Sequence, residues 1–250
     1  MNHQARVSVV IPVKNDSAEL ARCLAALARQ SRPADELIVV DNGSSDDSAQ
    51  TAVCAGATVI SCLAPGIPAA SSCGYDAATG DLILRLDADC VPAPSWIAEV
   101  VSSFETRPDV SAFSGYARFI DGPKLLRAPL AALYLLAYVL ATAPALGHWP
   151  LFGSNMAMRR EAWDAVRAAA HRDDPELHDD MDLSFHLGEG HRIRYLKGAA
   201  MGMSMRPFHS AAAFRRRLAR GFRTVLAHWP HDFPPRRWGR RISRAAGLGR

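Results

Sequence analysis

The chain has 250 residues, 49% of them hydrophobic and 22% charged, a composition ordinary for a soluble globular protein and compatible with one large domain. Its five cysteines (Cys23, Cys54, Cys62, Cys73, Cys90) form no CxxC pair and no Cys/His cluster at zinc-ligand spacing, which argues against a disulfide framework and for a reducing cytoplasm. The net charge of +4 is unevenly spread, with eleven arginines and one acid, Asp232, from Arg215 onward; no recognised nucleic-acid module accompanies them, so a nucleic-acid partner is set aside.

Val7-Ser8-Val9-Val10-Ile11 is short, β-branched and apolar, and reads as a buried strand; the run to Val13, interrupted by Ser8 and Pro12, is too short for a signal peptide. Ser17 to Gln30 carries Leu20, Leu24 and Leu27 at helical spacing, with Ser17 as its N-cap. Glu36 to Val40 is a second buried strand, ending at Asp41. Ser44 to Ala55 reads as a helix, Thr58 to Ile60 as a strand, Pro68 to Thr79 as a helix closed by Gly80, and Asp81 to Leu86 as a fourth strand ending at Asp87. Further on, Val110 to Ile120 reads as strand, and Pro129 to Ala145 is strongly apolar. The fourteen residues between Pro129 and Pro144 fall short of the ~20 that span a bilayer, so the segment is expected to be a buried helix, or else an interfacial one. Glu161 to Ala170 and Asp180 to Gly188 read as helices, Ile193 to Leu196 as a strand, and Ala211 to Ala227 as a basic helix.

Strands alternating with helices of ten to fourteen residues imply crossover units and a parallel sheet covered on both faces, with ligands bound beyond the carboxyl ends of the strands. Asp41 and Asp87 stand at such ends. After the first strand the sequence Pro12-Val13-Lys14-Asn15 lacks the glycines of a dinucleotide turn, and there is no P-loop. A bound diphosphate must then be neutralised in another way, and carboxylates holding Mg2+ or Mn2+ are the standard alternative. Asp87-Ala88-Asp89 can aim two acids at one metal and at a ribose hydroxyl; the alternative for so short a pattern is two surface aspartates in a turn.

The segment Val7 to Asn15, which includes Pro12 and Asn15, resembles the opening strand of family 2 glycosyltransferases of the GT-A fold. Val39 to Asp46 resembles their VDDGSxD element, Gly80 to Asp89 their strand leading into a DxD, and Gly153 to Arg160 their GxNxAxRR segment. Asp179-Asp180-Met181-Asp182-Leu183 resembles EDxDL, and Gly190 to Ile193 the GxRI that follows. The resemblance runs in family order from Val7 to about Arg223. It implies a Rossmann-like α/β three-layer sandwich with a mostly parallel sheet, spanning 1–209 in two halves: 1–92 for the nucleotide and 93–209 for the acceptor. Residues 210–250 would add a basic helix and an arginine-rich tail.

The same resemblance implies a metal-dependent, inverting transfer of a sugar from a nucleotide-diphosphate donor. Asp41 would read the nucleobase, with Pro12, Asn15 and Asn42 beside it. Asp87 and Asp89 would serve ribose and metal, and Asp180 would be the base. Gly153 to Asn155 would lie against donor and acceptor, with packing as the alternative. His209 stands where some relatives place a metal-binding histidine, and Arg217 and Arg220 where cations reach the diphosphate. For Asp182 a place at an acidic helix N-terminus is the preferred reading.

Three departures bear on this expectation. Asn42 replaces the second aspartate of VDDGS and is expected still to hydrogen-bond a base edge. Ser71 and Ser72 replace an Arg-Asn pair, removing a cation that would contact the donor. No QxxRW signature of processive polymerases occurs, which favours transfer of a single sugar. The acceptor is left open among saccharide, lipid and small molecule. The arginine-rich end is read either as a solvated tail or as a surface for something anionic: the diphosphate, a lipid phosphate or an acidic membrane. The corresponding location is cytoplasmic, peripheral to the inner face of a membrane. A nucleotidyltransferase and a non-catalytic binding module are the competing readings.

Overall fold

The first strand, β1 (Val7–Val13), is buried along its whole length because both its faces are covered. Val7, Val9, Ile11 and Val13 point into one core, and Val10 into a second on the opposite face, as the two-residue period of a strand requires. In this computed structural model, which describes residues 4–208 and 210–245, β1 lies parallel to β2 (Glu36–Asp41) on one side and β4 (Leu82–Arg85) on the other. The strand β3 (Thr58–Ser61) adds parallel to β2 at the edge. The crossovers are α1 (Ser17–Leu27), α2 (Ser48–Cys54) and α3 (Ile67–Ala77). Asp16, not Ser17, occupies the N-cap of α1, and the Ser17 N–H is instead taken by Asp46 from the loop after β2, 3.0 Å away.

The sheet continues in mixed sense through β5 (Val91–Pro92), β6 (Ala112–Phe119), β7 (Met156–Arg159) and β8 (Ile193–Met203), giving the order β3-β2-β1-β4-β7-β6-β8-β5. Four of the seven pairings are parallel; β7 runs antiparallel to both β4 and β6, and the short β5 antiparallel to β8. The helix α4 (Trp96–Thr106) packs with α1 on one face, and α3, α6 (Arg160–Val166) and α7 (Asp179–Gly190) lie on the other. This is the three-layer sandwich expected, with α4, β5 and β7 as elements the sequence pattern does not announce.

The apolar segment departs from expectation. Helix α5 (Arg127–Leu146) runs for 20 residues, through both prolines. Pro129 falls in the first turn, where no N–H partner is required, and Pro144 in the last. The helix is not buried: only Ala131, Thr142 and Leu146 are, while Leu133, Leu136 and Leu140 are 54–65% exposed. Its residues are apolar on every side; Ala131 with Leu130, Tyr134, Leu135 and Tyr138 reaches the main core, and Leu146 a small separate one. By length and composition alone α5 is long and apolar enough to cross a membrane.

Helix α8 (Ala211–Ala227) has the bounds the sequence implies, and a further helix, α9 (Pro234–Ala245), follows it. Arg237 of α9 is fully buried; its guanidinium lies over Phe185 and donates to the carbonyls of Leu146 (2.7 Å) and Phe185 (2.8 Å), closing the end of α5 against α7. Through residue 245 the basic end is therefore docked helix and not a solvated tail.

Candidate active site

Arg85 is the centre of the site. It is the last residue of β4, in register with Val10, so it shares that residue's face and enters the core beneath α3 and α7. Its Nη2 lies 2.9 Å from Asp87 Oδ1 and 3.3 Å from Asp179 Oδ2. Burial opposes the guanidinium's charge, and the two carboxylates outweigh burial and hold it charged. Ser71 on α3 donates to the same Asp179 oxygen at 2.8 Å. Ser71, at a position where the resemblance implies a cation, thus serves the same acid as Arg85. Burial drives the Asp179 carboxyl above its ordinary range against the pull of Arg85, and the charge of Asp180 adds to the rise.

The 3-10 turn Gly153–Asn155 lies over this guanidinium. A Cβ on Gly153 would stand 1.7 Å from Arg85 Nη1, so only glycine fits. The Gly153 N–H donates to Asp180 Oδ2 (2.9 Å), and the next residue, Ser154, donates through Oγ to Asp87 Oδ2 (2.6 Å). Two neighbouring residues therefore hold one acid of the DxD and one from the start of α7 side by side. The sequence singles out Asp87 and Asp180 separately; the structure brings them together.

Asp89 faces Arg206, whose Nη2 is 2.8 Å from Asp89 Oδ2 and 2.6 Å from Asp16 Oδ2. Burial and the neighbouring Asp87 raise the Asp89 carboxyl, and Arg206 counteracts them. Asp87 and Asp89 present carboxylate oxygens within 4.8 Å of each other, a hard-oxygen pair that fits Mg2+ or Mn2+. The adjacent Cys90 does not join them: burial pushes its thiol well up, and it points at Ser154 O. His209 lies outside the described residues.

Asp41 ends β2, two strands from β4 on the same carboxyl edge, and accepts the Ser44 N–H at 3.1 Å. Pro12 is buried in β1 opposite Val40. Asn15, with a φ of 52°, latches two loops: its Oδ1 accepts the Ser45 N–H at 2.7 Å, and its own N–H goes to Ser44 Oγ. Asn42 departs from the base-edge expectation, and Asn155 takes the packing alternative. Asn42 is buried, donates to the Cys62 and Ala64 carbonyls (2.8 and 2.6 Å) and accepts from Gly66 N–H, so its amide shapes the loop after β3 and offers no base edge contact. Asn155 is likewise consumed inside, accepting from Trp96 Nε1 (2.9 Å) and donating to the Tyr116 and Ala199 carbonyls.

The two arginines of α8 part ways. Arg217 lies against the start of α7, its carbonyl 2.9 Å from Nε2 of His178, the N-cap residue next to Asp179 and Asp180. Arg220 is held by Glu176 (2.9 Å) on the loop before α7. Arg85 and Arg206, which sequence reasoning passes over, are the cations in contact with the acids among the described residues.

Residues 8–167 match the family model described as "Glycosyl transferase family 2". Glycosyltransferase AglE of Haloferax volcanii is 34% identical over 105 residues, 39% of this chain and 34% of that protein. An undecaprenyl-phosphate 4-deoxy-4-formamido-L-arabinose transferase of Serratia proteamaculans is 39% identical over 116 residues, 42% of this chain and 35% of that one. The chain thus aligns with about a third of the length of these relatives. Among solved structures, the mannosyltransferase PcManGT of Pyrobaculum calidifontis, in complex with GDP-Man and Mn2+, superposes with a TM-score of 0.65 at 19% identity, over 99% of this chain and 73% of that one. Glucosyl-3-phosphoglycerate synthase of Mycobacterium tuberculosis, in complex with Mn2+, UDP and phosphoglyceric acid, gives 0.61 at 23%, over 89% and 78%. At these identities the two structures attest the fold, and the family match covers more than half of the chain. With its GT-A sandwich and the acids gathered at the carboxyl edge of the sheet, this chain belongs to glycosyl transferase family 2.

Proposed function

We propose that the protein is a metal-dependent, inverting transferase that moves a single sugar from a nucleotide-diphosphate donor to a hydroxyl or lipid-phosphate acceptor. The observation that carries this reading is the pair of hydrogen bonds by which Gly153 and Ser154 hold Asp180 and Asp87 together above Arg85. Mg2+ or Mn2+ bound by Asp87 and Asp89 would neutralise the diphosphate as it departs. Arg206 adds a positive charge beside Asp89, which can turn from the carboxylates to the phosphates when they arrive. Asp41 flanks the nucleobase at the end of β2. Asp180, its Oδ1 taken by the Met181 N–H and its Oδ2 by Gly153, is fixed in one orientation from which it accepts the proton of an acceptor hydroxyl. A base facing the leaving group gives inversion. The product is a nucleoside diphosphate, whereas a nucleotidyltransferase would release pyrophosphate.

The lipid-phosphate acceptor is suggested by the relative named for undecaprenyl phosphate and by the surface of this chain. The exposed leucines of α5 continue into an open groove of about 600 Å³ lined by Leu140, Trp149, Trp238 and Ile242, between α5 and α9. Arg215, Arg216 and Arg236 are exposed on the adjoining basic helices. An apolar helix bordered by arginines suits peripheral contact with an anionic membrane, at the inner face of a cell membrane.

The test is Asp180→Asn. Turnover with a hydroxyl acceptor should fall about 10²–10⁴-fold, while donor binding, read by thermal shift with Mn2+, stays within about twofold. A phosphate acceptor is already largely ionised near neutral pH, so with it the loss should be far smaller. Equal loss of donor binding and turnover would overturn the role given to Asp180. Donor binding without any metal-dependent turnover or donor hydrolysis would indicate a binding module.

A further inference from the structure

Asp182 lies two residues beyond Asp180, about 200° around α7, and leaves the helix on the opposite side. Its carboxylate is buried and meets three imidazoles from three segments of chain. His171, in the loop after α6, places Nδ1 2.6 Å from Asp182 Oδ1. His186, one turn along α7, places Nε2 3.5 Å from the same oxygen, and His228, at the C-cap of α8, places Nε2 3.2 Å from it. The four ligand atoms all lie within 4.8 Å of one another.

Hydrogen bonding accounts for His171, whose backbone N–H donates to Asp182 Oδ2 at 3.0 Å and whose Nδ1 meets Oδ1, but not for the other two rings. The Nε2 atoms of His186 and His228 are buried, and neither is aligned to hydrogen-bond to Asp182 or to any other protein atom. His228 Nδ1 stands 2.8 Å from the Thr224 carbonyl; a carbonyl only accepts, so Nδ1 carries the hydrogen, which leaves Nε2, facing the cluster, as the nitrogen that can offer a metal its lone pair. Fixing the tautomer through the outer nitrogen in this way is the usual preparation of a ligating histidine. Phe185 stacks on the same ring at 4.0 Å between centroids and holds its plane. An inward-facing lone pair beside a carboxylate is costly unless a cation lies between them.

We propose that His171, Asp182, His186 and His228 form a second metal site, for Zn2+ or a similar nitrogen-preferring divalent ion, that staples the end of α8 to α7 and to the loop after α6. Zinc bonds of 2.0–2.1 Å in a tetrahedron put ligand atoms about 3.3 Å apart. The separations of His228 and His186 from Asp182 are already close to that value, and His171, its side chain 40% exposed, can open outward to reach it and gives the ion its route in. Four protein ligands fill the tetrahedron, so the site is structural. It differs in kind from the Asp87–Asp89 pair, whose oxygens favour Mg2+ or Mn2+, and the chain would sort two metals by ligand chemistry.

The test uses the full chain in saturating Mg2+, so that the oxygen site is occupied. After exhaustive dialysis, elemental analysis should give about one zinc per chain, and Co2+ exchanged into the protein should show the intense visible absorption of a tetrahedral ion. The double variant His186→Gln/His228→Gln should lose both signals, whereas Asp89→Ala should keep both. Chelation should lower the Tm of the wild-type chain by about 5–10 °C and leave the double variant unmoved. Absence of retained zinc together with an octahedral cobalt spectrum in the wild-type chain would overturn the site, as would loss of the metal in Asp89→Ala but not in the histidine variant. The cobalt spectrum needs no variant, so poor folding of the double variant leaves the proposal falsifiable.

Discussion

Replacing Arg85 by methionine removes the one cation that Asp87 and Asp179 share, while keeping an unbranched side chain of similar length beneath Gly153. Removing one partner of a buried ion pair costs about 3–5 kcal/mol, because the other is stranded out of water. The two acids are not equally stranded. The Asp87 side chain is 30% exposed and can recover water, whereas that of Asp179 is 15% exposed and keeps only Ser71. The expected loss is therefore near the low end, about 3 kcal/mol, or about 6–12 °C in Tm for a chain of this size. Urea denaturation of four proteins decides the matter: wild type, Arg85→Met, Asp179→Asn and the double variant. With a neutral asparagine at 179 the more deeply buried of the two charges is gone and Asp87, which can recover water, is the one left, so Arg85→Met should then cost about 1 kcal/mol or less. Equal costs in the two backgrounds would refute the view that Arg85 is held in place by these carboxylates, and so would a loss under about 1 kcal/mol in the wild-type background.

Arg206→Ala frees Asp89 from a competing cation but takes a positive charge from the diphosphate. Calorimetry without donor should show Mn2+ binding tighter, while the KM for donor rises about tenfold; a weaker metal site would contradict the assignment. His148 is pushed down to about 4, by burial first and by Arg237 in addition. Its folded pKa lies below its unfolded one, so its share of stability is complete above about pH 6.5 and is lost as the pH falls toward 4. Between pH 7 and 4 the wild-type chain should lose about 2 kcal/mol more than His148→Gln, and parallel pH profiles would exclude this. Leu136→Glu/Leu140→Glu should reduce sedimentation with anionic vesicles at least about tenfold without changing Tm, since both leucines already face outward; unchanged vesicle binding would remove α5 from the interface.

The order of strands and helices through Asp87 is legible because β1, β2 and β4 are covered on both faces and read as mainly apolar, β-branched runs. β7 is only four residues, and its pairing with β4 and β6 depends on chain that is distant in sequence. Acids at strand ends stand out, but the groups that organise them do not. An arginine at the end of an apolar strand gives no hint that two aspartates from elsewhere will meet it, and Arg206 is one of many basic residues in its neighbourhood. Asn42 and Asn155 sit within motifs that suggest ligand contact, and an amide suits a base edge and a backbone carbonyl equally well. The carbonyls of Cys62, Ala64, Tyr116 and Ala199 take them, and none of these is near in sequence. The histidines around Asp182 escape a search by ligand spacing for the same reason: 171, 186 and 228 become neighbours only when α8 folds back on α7.

The turn at Gly153 and Ser154 has a consequence for how substrates communicate. The Ser154 hydroxyl grips Asp87, which the proposed reaction puts on the donor side, and the neighbouring Gly153 amide grips Asp180, which it puts on the acceptor side, above a buried guanidinium. On that proposal, any change in affinity that occupancy of one side makes on the other would be returned in equal size, by thermodynamic reciprocity.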